Sequence, residues 1–315
     1  MPVIAAFATS HAYTFQPPDT WDKRRERSRA NVAKKNGGRL APDTLQATAE
    51  TVADNEVRYA RIRSAHEMIR ERVAHLKPDA VILVGDDQDE NFNGGNRPQL
   101  LVYTGGDYVA DDWDRTRTAA VRNHPAIARA LVTGCMAQGF DVGYATKFAD
   151  DKLLSHAHTE PILYLLAESG VPVVPVFVNA VHPPAPSAAR CYAFGQALRR
   201  VIDRALADKR VMICGSGGLS HFSPSHPWAH HIGERYVGDI SVEFDRMLVR
   251  WMHDGEGDRL AALSDQELII HGEGELRQWI VMLGAVGSIE PDFLVYEPLY
   301  RGIMGMGVGY WTITT

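Results

Sequence analysis

Cysteine is scarce in this chain of 315 residues, which contains only Cys135, Cys191 and Cys214. The three cysteines are scattered and form no CxxC pair, so the sequence predicts neither a disulfide framework nor a cysteine-rich zinc site. Unpaired thiols are typical of a reducing compartment. A chain of this length buries about three quarters of its unfolded surface, so its core needs no disulfides.

Long hydrophobic runs are also absent. The longest apolar segment, residues 171–181 (VPVVPVFVNAV), contains two prolines and is far shorter than the ~20 residues that a membrane-spanning helix needs. The first residues, MPVIAAFATSHAYT, lack the basic segment of a secretory signal. We therefore expect a cytoplasmic protein with no membrane partner.

The chain has no excess of basic residues. Its 33 Lys and Arg against 39 Asp and Glu give a net charge of −6, whereas proteins that bind nucleic acids usually carry a basic excess or stripe. The single basic cluster, Lys23–Arg29 (KRRERSR), is short, and we interpret it as a solvated surface. No nucleic-acid partner is predicted.

Common phosphate-binding and nucleophile motifs are missing as well. The Gly215–Gly218 segment (GSGG) matches neither GxGxxG nor the P-loop, because no Lys-Ser/Thr pair follows it. Phe222 stands where the GxSxG elbow of serine hydrolases needs its last glycine. The sequence thus disfavours a nucleotide site and a serine hydrolase.

Short apolar runs alternate with helical patterns along the chain. The candidate strands are Val3–Ala8, Ala80–Val84, Leu100–Tyr103, Val171–Val178 and Val211–Cys214, and the candidate helices are Thr44–Leu76, Pro125–Gln138, Glu160–Glu168, Ala188–Leu206, Gly238–Met252 and Gly274–Leu283. Continuous runs such as AVILV and VMIC indicate strands covered on both faces. The pattern predicts an α/β layered sandwich, with a central mostly parallel or mixed sheet flanked by helices. We expect one domain over residues 1–315, with a helical insertion at about 16–76.

Polar segments follow three of the predicted strands: Thr9–His11, Gly85–Glu90 and Gly215–His221. Leu154–His158, which opens a predicted helix, is a fourth polar segment and supplies two of the chain's 13 histidines. Strand ends are where open α/β sheets gather their sites. The two rings of His156-x-His158 should diverge on a helix, so we do not interpret them as a metal pair.

The order of these segments resembles one family, the class III extradiol ring-cleavage dioxygenases, the group of the protocatechuate 4,5-dioxygenase β subunit. The motifs that carry the resemblance are His11 in TSH, His156 in SHAHTEP, VNAV before prolines (178–181), RCYAFG (190–195), GSGGLSH (215–221) and GELxxW (274–279). They extend over nearly the whole chain. The resemblance implies ring cleavage of a small aromatic vicinal diol by Fe(II) and O2.

The resemblance also implies a role for several side chains. His11 would be an imidazole ligand of Fe(II) and Glu275 the carboxylate ligand, in a site that keeps open positions. His221 would be the acid/base, which takes a proton from the second substrate hydroxyl, because the pKa of an imidazole lies near working pH. His156 would steady bound oxygen and the charge of the substrate. Three polar residues near the motifs are expected to contact the substrate: His158, Asn179 and His182.

One position departs from the family pattern. Gln88 stands where the second iron-binding histidine is expected. Gln88 could ligate the metal itself, Asp87 or Glu90 could replace it, His66 from the inserted helix could supply the missing ligand, or the site could be impaired. The GDDQ segment also resembles a branch similar to 3-O-methylgallate dioxygenases, in which it would be a variant. A second departure is Ser155, where the family often has an aspartate that could orient His156.

Two other functions stay open at this point. An impaired metal site would give a related binding protein without oxygenase activity. A zinc-bound water with His221 as proton shuttle would give a metal-dependent hydrolase. The sequence shows no appended small subunit, so we expect a homo-oligomer.

Overall fold

A computed structural model of the chain describes residues 2–35, 38, 43–112, 116–148, 154–222 and 238–314. The strands are β1 (Val3–Thr9), β2 (Ala80–Gly85), β3 (Leu100–Tyr103), β4 (Tyr108–Asp111), β5 (Thr118–Val121), β6 (Gly143–Ala145), β7 (Val173–Val178), β8 (Val211–Ser216), β9 (Phe293–Leu299) and β10 (Met304–Thr312). The helices are α1 (Trp21–Lys35), α2 (Leu45–Ala49), α3 (Val52–Leu76), α4 (Pro125–Met136), α5 (His156–Pro161), α6 (Ala188–Ala205), α7 (Val242–His253), α8 (Asp265–Ile270) and α9 (Leu276–Val286).

Eight strands form one mixed sheet in the order β6-β3-β7-β2-β8-β1-β10-β9, and β4 and β5 form a separate hairpin. The central strands β7, β2, β8 and β1 pair in parallel, as do β3 and β6, while β3 with β7 and the β1-β10-β9 edge pair antiparallel. The structure confirms the predicted α/β fold with a mostly parallel, mixed sheet.

Strand β2 shows why the sheet is covered on both faces. Ile82 and Val84 belong to the core cluster that includes α4, α6 and α9. Val81 and Leu83, which alternate with them, belong to the opposite cluster with α3. Each such side chain contributes about 1.5–3 kcal/mol on full burial, so the apolar run fixes β2 between two helical layers.

Two predicted helices, Thr44–Leu76 and Glu160–Glu168, are each divided into separate segments in the structure. The helix expected over Thr44–Leu76 is interrupted between α2 and α3, because Thr51 starts a new helix: its Oγ1 accepts from the Asp54 N–H at 3.2 Å, and its own N–H donates to Asp54 at 2.9 Å. The helix expected to begin at Glu160 begins at His156. After Pro161, which has no N–H, it continues as a π-helical turn, Ile162–Leu166.

The carboxyl ends of the central parallel strands meet at one edge of the sheet. Thr9 of β1 pairs with Ser216 of β8, and Val84 of β2 pairs with Gly215. The polar segments that follow these strands are therefore neighbours.

Helices α1, α2 and α3 lie between β1 and β2, where an insertion was predicted. A single domain over residues 1–315 stays a prediction. In the part of the chain that the structure describes, no helix has the length and apolar character needed to cross a bilayer.

Candidate active site

Three buried side chains meet at this edge: His11, Asp86 and Glu275. One potential ligand atom from each lies within 4.8 Å of the others, and none of the three residues is more than 1% exposed. His11 follows β1, Asp86 follows β2, and Glu275 precedes α9. The structure thus brings together two of the predicted ligands, and it adds Asp86, which sequence reasoning had left within an acidic run.

Glu275 is the centre of this cluster. Its Oε2 accepts from the Gly218 N–H at 2.9 Å and lies 3.3 Å from His11 Nε2, while its Oε1 lies 3.2 Å from His221 Nε2. Burial alone would raise the pKa of Glu275, but the charge and hydrogen bond of His221, together with the Gly218 N–H, hold that pKa well below its usual range. Glu275 is therefore an ionised carboxylate, the form that binds a cation.

The glycines of the GSGG loop allow this close approach. A Cβ at position 217 would lie 2.2 Å from the Glu275 carbonyl oxygen, and one at 218 would lie 2.8 Å from the His221 ring. Trp279, fully buried on α9, donates from Nε1 to the Gly217 carbonyl at 3.3 Å. The loop is thus packed directly against the candidate carboxylate ligand.

Asp86 has an oxygen that no protein group satisfies. Within the described ranges its Oδ1 is buried without a hydrogen-bond partner. Burial and then the nearby Glu275 raise the pKa of Asp86 well above its ordinary value. Two carboxyl groups held this close in a buried site repel each other unless a proton or a cation joins them. The orphaned oxygen therefore fits a metal ligand.

His11 has the protonation state that a metal requires. Its Nδ1 lies 3.3 Å from the Ser216 hydroxyl. Burial lowers the pKa of His11 to about 3, although Glu275 acts in the opposite direction. The ring is therefore neutral, and only a neutral imidazole has a lone pair for a metal.

Gln88 contacts both carboxylates of the cluster. Its Nε2 lies 2.7 Å from Glu275 Oε1 and 3.3 Å from Asp86 Oδ2, so the amide donates to each of them. The contacts show Gln88 as a bridge between two candidate ligands. Direct ligation by Gln88 stays a prediction.

The other candidates for the missing ligand are engaged elsewhere. Asp87 accepts from the backbone N–H groups of Asn91 and Phe92. His66 stacks on Phe15 and lies 3.0 Å from the Thr9 hydroxyl. Neither residue belongs to the buried cluster of potential ligands found in the described residues.

Glu90 forms an ion pair with His156 instead. It contacts His156 Nδ1 and also accepts from the Gln88 N–H at 2.6 Å. Burial would lower the pKa of His156, but Glu90 raises it to about 10. The His156 ring is thus an imidazolium, with its centroid 4.8 Å from that of His11. Glu90 supplies the negative charge that Ser155 lacks, and the Ser155 hydroxyl donates to the Asp86 carbonyl at 2.5 Å.

His221 presents one ring nitrogen to the site. Its Nδ1 donates to the Leu219 carbonyl at 2.8 Å, which leaves Nε2 beside Glu275. Although burial lowers the pKa of His221, Glu275 raises it above the ordinary value. An antiparallel bridge to Met304 ties the residue to the start of β10.

A cavity of about 460 Å³ opens over the cluster, a size typical of small-molecule sites. Its lining comprises His11, Ala12, Tyr13, Gln16, Thr20, Lys23, Arg24, Arg27, Ser28, Asn31, Gln88, His156, Glu160, His221, Glu275, Ile303 and Met304. The basic segment of α1, interpreted from sequence as solvated surface, therefore forms a wall of this cavity. Lys23 and Arg27 are nevertheless exposed, as expected for a solvated surface, whereas Arg25 is buried.

The three residues expected to contact the substrate lie elsewhere. His158 is fully buried, with Nε2 3.0 Å from the Val176 carbonyl and its ring against Phe177. Asn179 donates to the carbonyl of His182 at 2.7 Å. None of His158, Asn179 and His182 is among the described residues that line the cavity. A substrate contact by these three stays a prediction that the present geometry does not favour.

Comparison with known proteins adds independent findings. Residues 43–309 match the family described as catalytic LigB subunit of aromatic ring-opening dioxygenase. A 2,3-dihydroxyphenylpropionate/2,3-dihydroxicinnamic acid 1,2-dioxygenase of Photorhabdus laumondii is 23% identical over 290 residues, which cover 78% of this chain and 88% of that protein. Its counterpart from Escherichia coli is 25% identical over 76% of this chain and 87% of that protein. The crystal structure of uncharacterized protein JW3007 from Escherichia coli K12 aligns with 98% of this chain at 14% identity and a TM-score of 0.49.

Proposed function

Because the chain belongs to the LigB family of class III extradiol ring-opening dioxygenases, we propose that it cleaves the ring of a small aromatic vicinal diol with O2, using Fe(II). The substrate would be of the catechol, gallate, methylgallate or hydroxypyridone type. The observation that carries the proposal is the cluster of His11, Asp86 and Glu275. Two of its members, His11 and Glu275, line the cavity together with His156 and His221.

The donor set fits a divalent first-row metal. A neutral imidazole and two carboxyl groups would hold Fe(II), with Asp86 in place of the second imidazole that the family resemblance implies. When bound, Fe(II) supplies the Lewis acidity and the one-electron chemistry that a reaction between a diol and O2 requires. The Gln88 amide would keep Asp86 and Glu275 oriented, since it donates to both.

His221 would move the proton of the reaction. Because its Nδ1–H is held by the Leu219 carbonyl, Nε2 is the atom that can exchange a proton with the substrate. It would take a proton from a substrate hydroxyl and later return one to an oxygen atom that comes from O2, both atoms of which end in the ring-opened product. Such positioned acid/base groups contribute roughly 10²–10⁴-fold in rate.

His156 would supply a fixed positive charge. Its ion pair with Glu90 keeps it protonated, and its ring lies beside that of His11. A preorganised charge in a water-poor site stabilises negative charge that develops on the reactants. This role differs from that of His221, which has to exchange its proton.

Oxygen uptake tests the proposal. Purified protein is reconstituted with Fe(II) under argon, and O2 consumption is followed with catechol, gallate, 3-O-methylgallate, 2,3-dihydroxyphenylpropionate and a hydroxypyridone diol. We expect one O2 consumed per diol, with a ring-opened semialdehyde or its lactone as product. If protein with stoichiometric iron consumed no O2 with any of them, the proposal would be overturned.

The same preparation, reconstituted with Fe(II), also tests the two other candidate functions. A metal-dependent hydrolase would turn over ester or amide substrates under argon, and its activity would survive the oxidation of ferrous iron. A binding protein with an impaired metal site would bind a diol without retaining any metal. Either result would contradict an oxygenase.

A further inference from the structure

We propose that Lys23 and Arg27 form an anion subsite at the outer end of the cavity, and that the substrate carries a carboxylate there. The proposal rests on the proposed function for the identity of the aromatic diol. The subsite itself rests on the wall that α1 forms.

One face of α1 and of the turn before it lines the cavity. Thr20, Lys23, Arg24, Arg27, Ser28 and Asn31 line it, and spacings of three and four residues place such side chains on one helical face. The stripe carries three cations, although the whole chain has a net charge of −6. This wall of the cavity is therefore positively charged, although the chain as a whole is negatively charged.

Lys23 and Arg27 are the cations available to a ligand. Arg25 and Arg29 of the same helix are paired with Asp43. Arg24 lies near Glu160, a buried cavity residue on whose carboxyl it acts electrostatically. By contrast, neither Lys23 nor Arg27 forms an ion pair with any carboxylate in the described part of the chain.

The cavity has a buried end and a solvent-exposed end. His11 and Glu275 at the candidate metal centre are each 1% exposed, whereas Lys23 and Arg27 are exposed. The cavity thus extends from the candidate metal centre to α1, so a diol held at that centre would have its far end on the α1 side. The cavity of about 460 Å³ is some three times the roughly 150 Å³ void that holds benzene. It thus has room for a ring with an acidic substituent.

Matched substrate pairs test the subsite. 3,4-Dihydroxybenzoate is compared with 3,4-dihydroxybenzamide, and 2,3-dihydroxyphenylpropionate with its amide, in wild type, K23Q, R27Q and the double variant. K34Q is the control, because it removes one charge from α1 without touching the cavity lining. Both kcat/KM and anaerobic affinity by calorimetry of the Fe(II)-loaded protein are measured.

We expect wild type to prefer at least one carboxylate over its amide by tenfold or more. The double variant should lose most of that preference through KM, K34Q should keep it within twofold, and added salt should weaken it. Equal values for both members of each pair in wild type, or an unchanged preference in the double variant, would overturn the subsite.

If amides and carboxylates were cleaved equally, only the subsite would fail. If no diol were cleaved, the function would fail and the anaerobic affinities would still decide the subsite.

Discussion

Glu90 determines the charge of His156. The carboxylate raises the pKa of His156 to about 10 against a burial effect of opposite sign, and the pKa of Glu90 is itself lowered to about 2, by His156 against burial. In Glu90→Gln, only the burial effect and weaker charges remain. We expect the pKa of His156 in the metal-free variant, measured by NMR titration, to fall by several units. A pKa that stayed near 10 would show that other groups hold the proton.

The same pair gives stability a pH dependence. The contribution of His156 is present in full below its unfolded pKa of 6.5 and is lost as pH rises towards 10. The contribution of Glu90 is present in full above its unfolded pKa of 4.5 and is lost as pH falls towards its folded pKa of about 2. The loss of unfolding free energy in Glu90→Gln should thus be larger at pH 6 than at pH 10, as urea unfolding of the metal-free proteins would show.

Asp86 and Asp87 are adjacent in sequence but differ in environment. Asp86 has a buried, unpaired oxygen in the cluster, whereas Asp87 accepts from two backbone N–H groups. We expect Asp86→Asn to lower Fe(II) affinity by at least tenfold, and Asp87→Asn to leave it within about threefold. Elemental analysis after anaerobic loading measures both. Equal iron in the two variants would remove Asp86 from the ligand set.

His221 is assigned to proton transfer and not to metal binding. We expect His221→Ala to lower kcat by roughly 10²–10⁴-fold while iron stays near the wild-type content. His253→Ala, on the exposed end of α7, is the control and should change neither quantity. Loss of iron from His221→Ala would mean that the ligand and the base had been exchanged in our assignment.

The GSGG loop has no room for a side chain at Gly217, next to Glu275. A Cβ at Gly217 would lie 2.2 Å from a backbone oxygen, whereas one at Gly106 would meet no atom within 4 Å. We expect Gly217→Ala to lower the free energy of unfolding by about 1–3 kcal/mol and to weaken metal binding, while Gly106→Ala changes neither. Urea unfolding and iron titration of both variants check this, and equal effects would contradict the packing described.

Some elements were predictable from sequence for a physical reason. Strands β2 and β8 contain short continuous apolar runs, each followed by glycine, and a run of this length with β-branched residues favours a buried strand over a helix. By contrast, β10 (MGMGVGYWT) was not predicted, because alternating glycines weaken a strand signal. Its pairing with β1 depends on residues almost the whole chain away.

The candidate site was predictable only in part. His11, His221 and Glu275 belong to motifs whose order identifies the family. Asp86 could not be chosen over its neighbours, because the turn that follows β2 decides which of several consecutive polar side chains faces inward. A positive φ of 74° at Asp89 is one feature of this turn, and it is not encoded by a glycine.

At the scale of the whole molecule, the parallel sheet explains how distant residues form one site. Three adjacent strands, in the order β2-β8-β1, lead into the site. Asp86 follows β2, the GSGG loop is at the end of β8, and His11 follows β1. Glu275 packs against the GSGG loop from the start of α9. The helices between β1 and β2 add the cationic wall. The sheet thus supplies the candidate metal centre, and the inserted helices supply the part that would distinguish substrates.

Anomalous diffraction at the iron edge, from crystals loaded with Fe(II) under argon, tests the central claim most directly. We expect a single peak within ligand distance of His11 Nε2 and of a carboxylate oxygen from both Asp86 and Glu275. A peak bound by Asp87, Glu90 or His66, or no peak at this cluster in iron-replete protein, would contradict it.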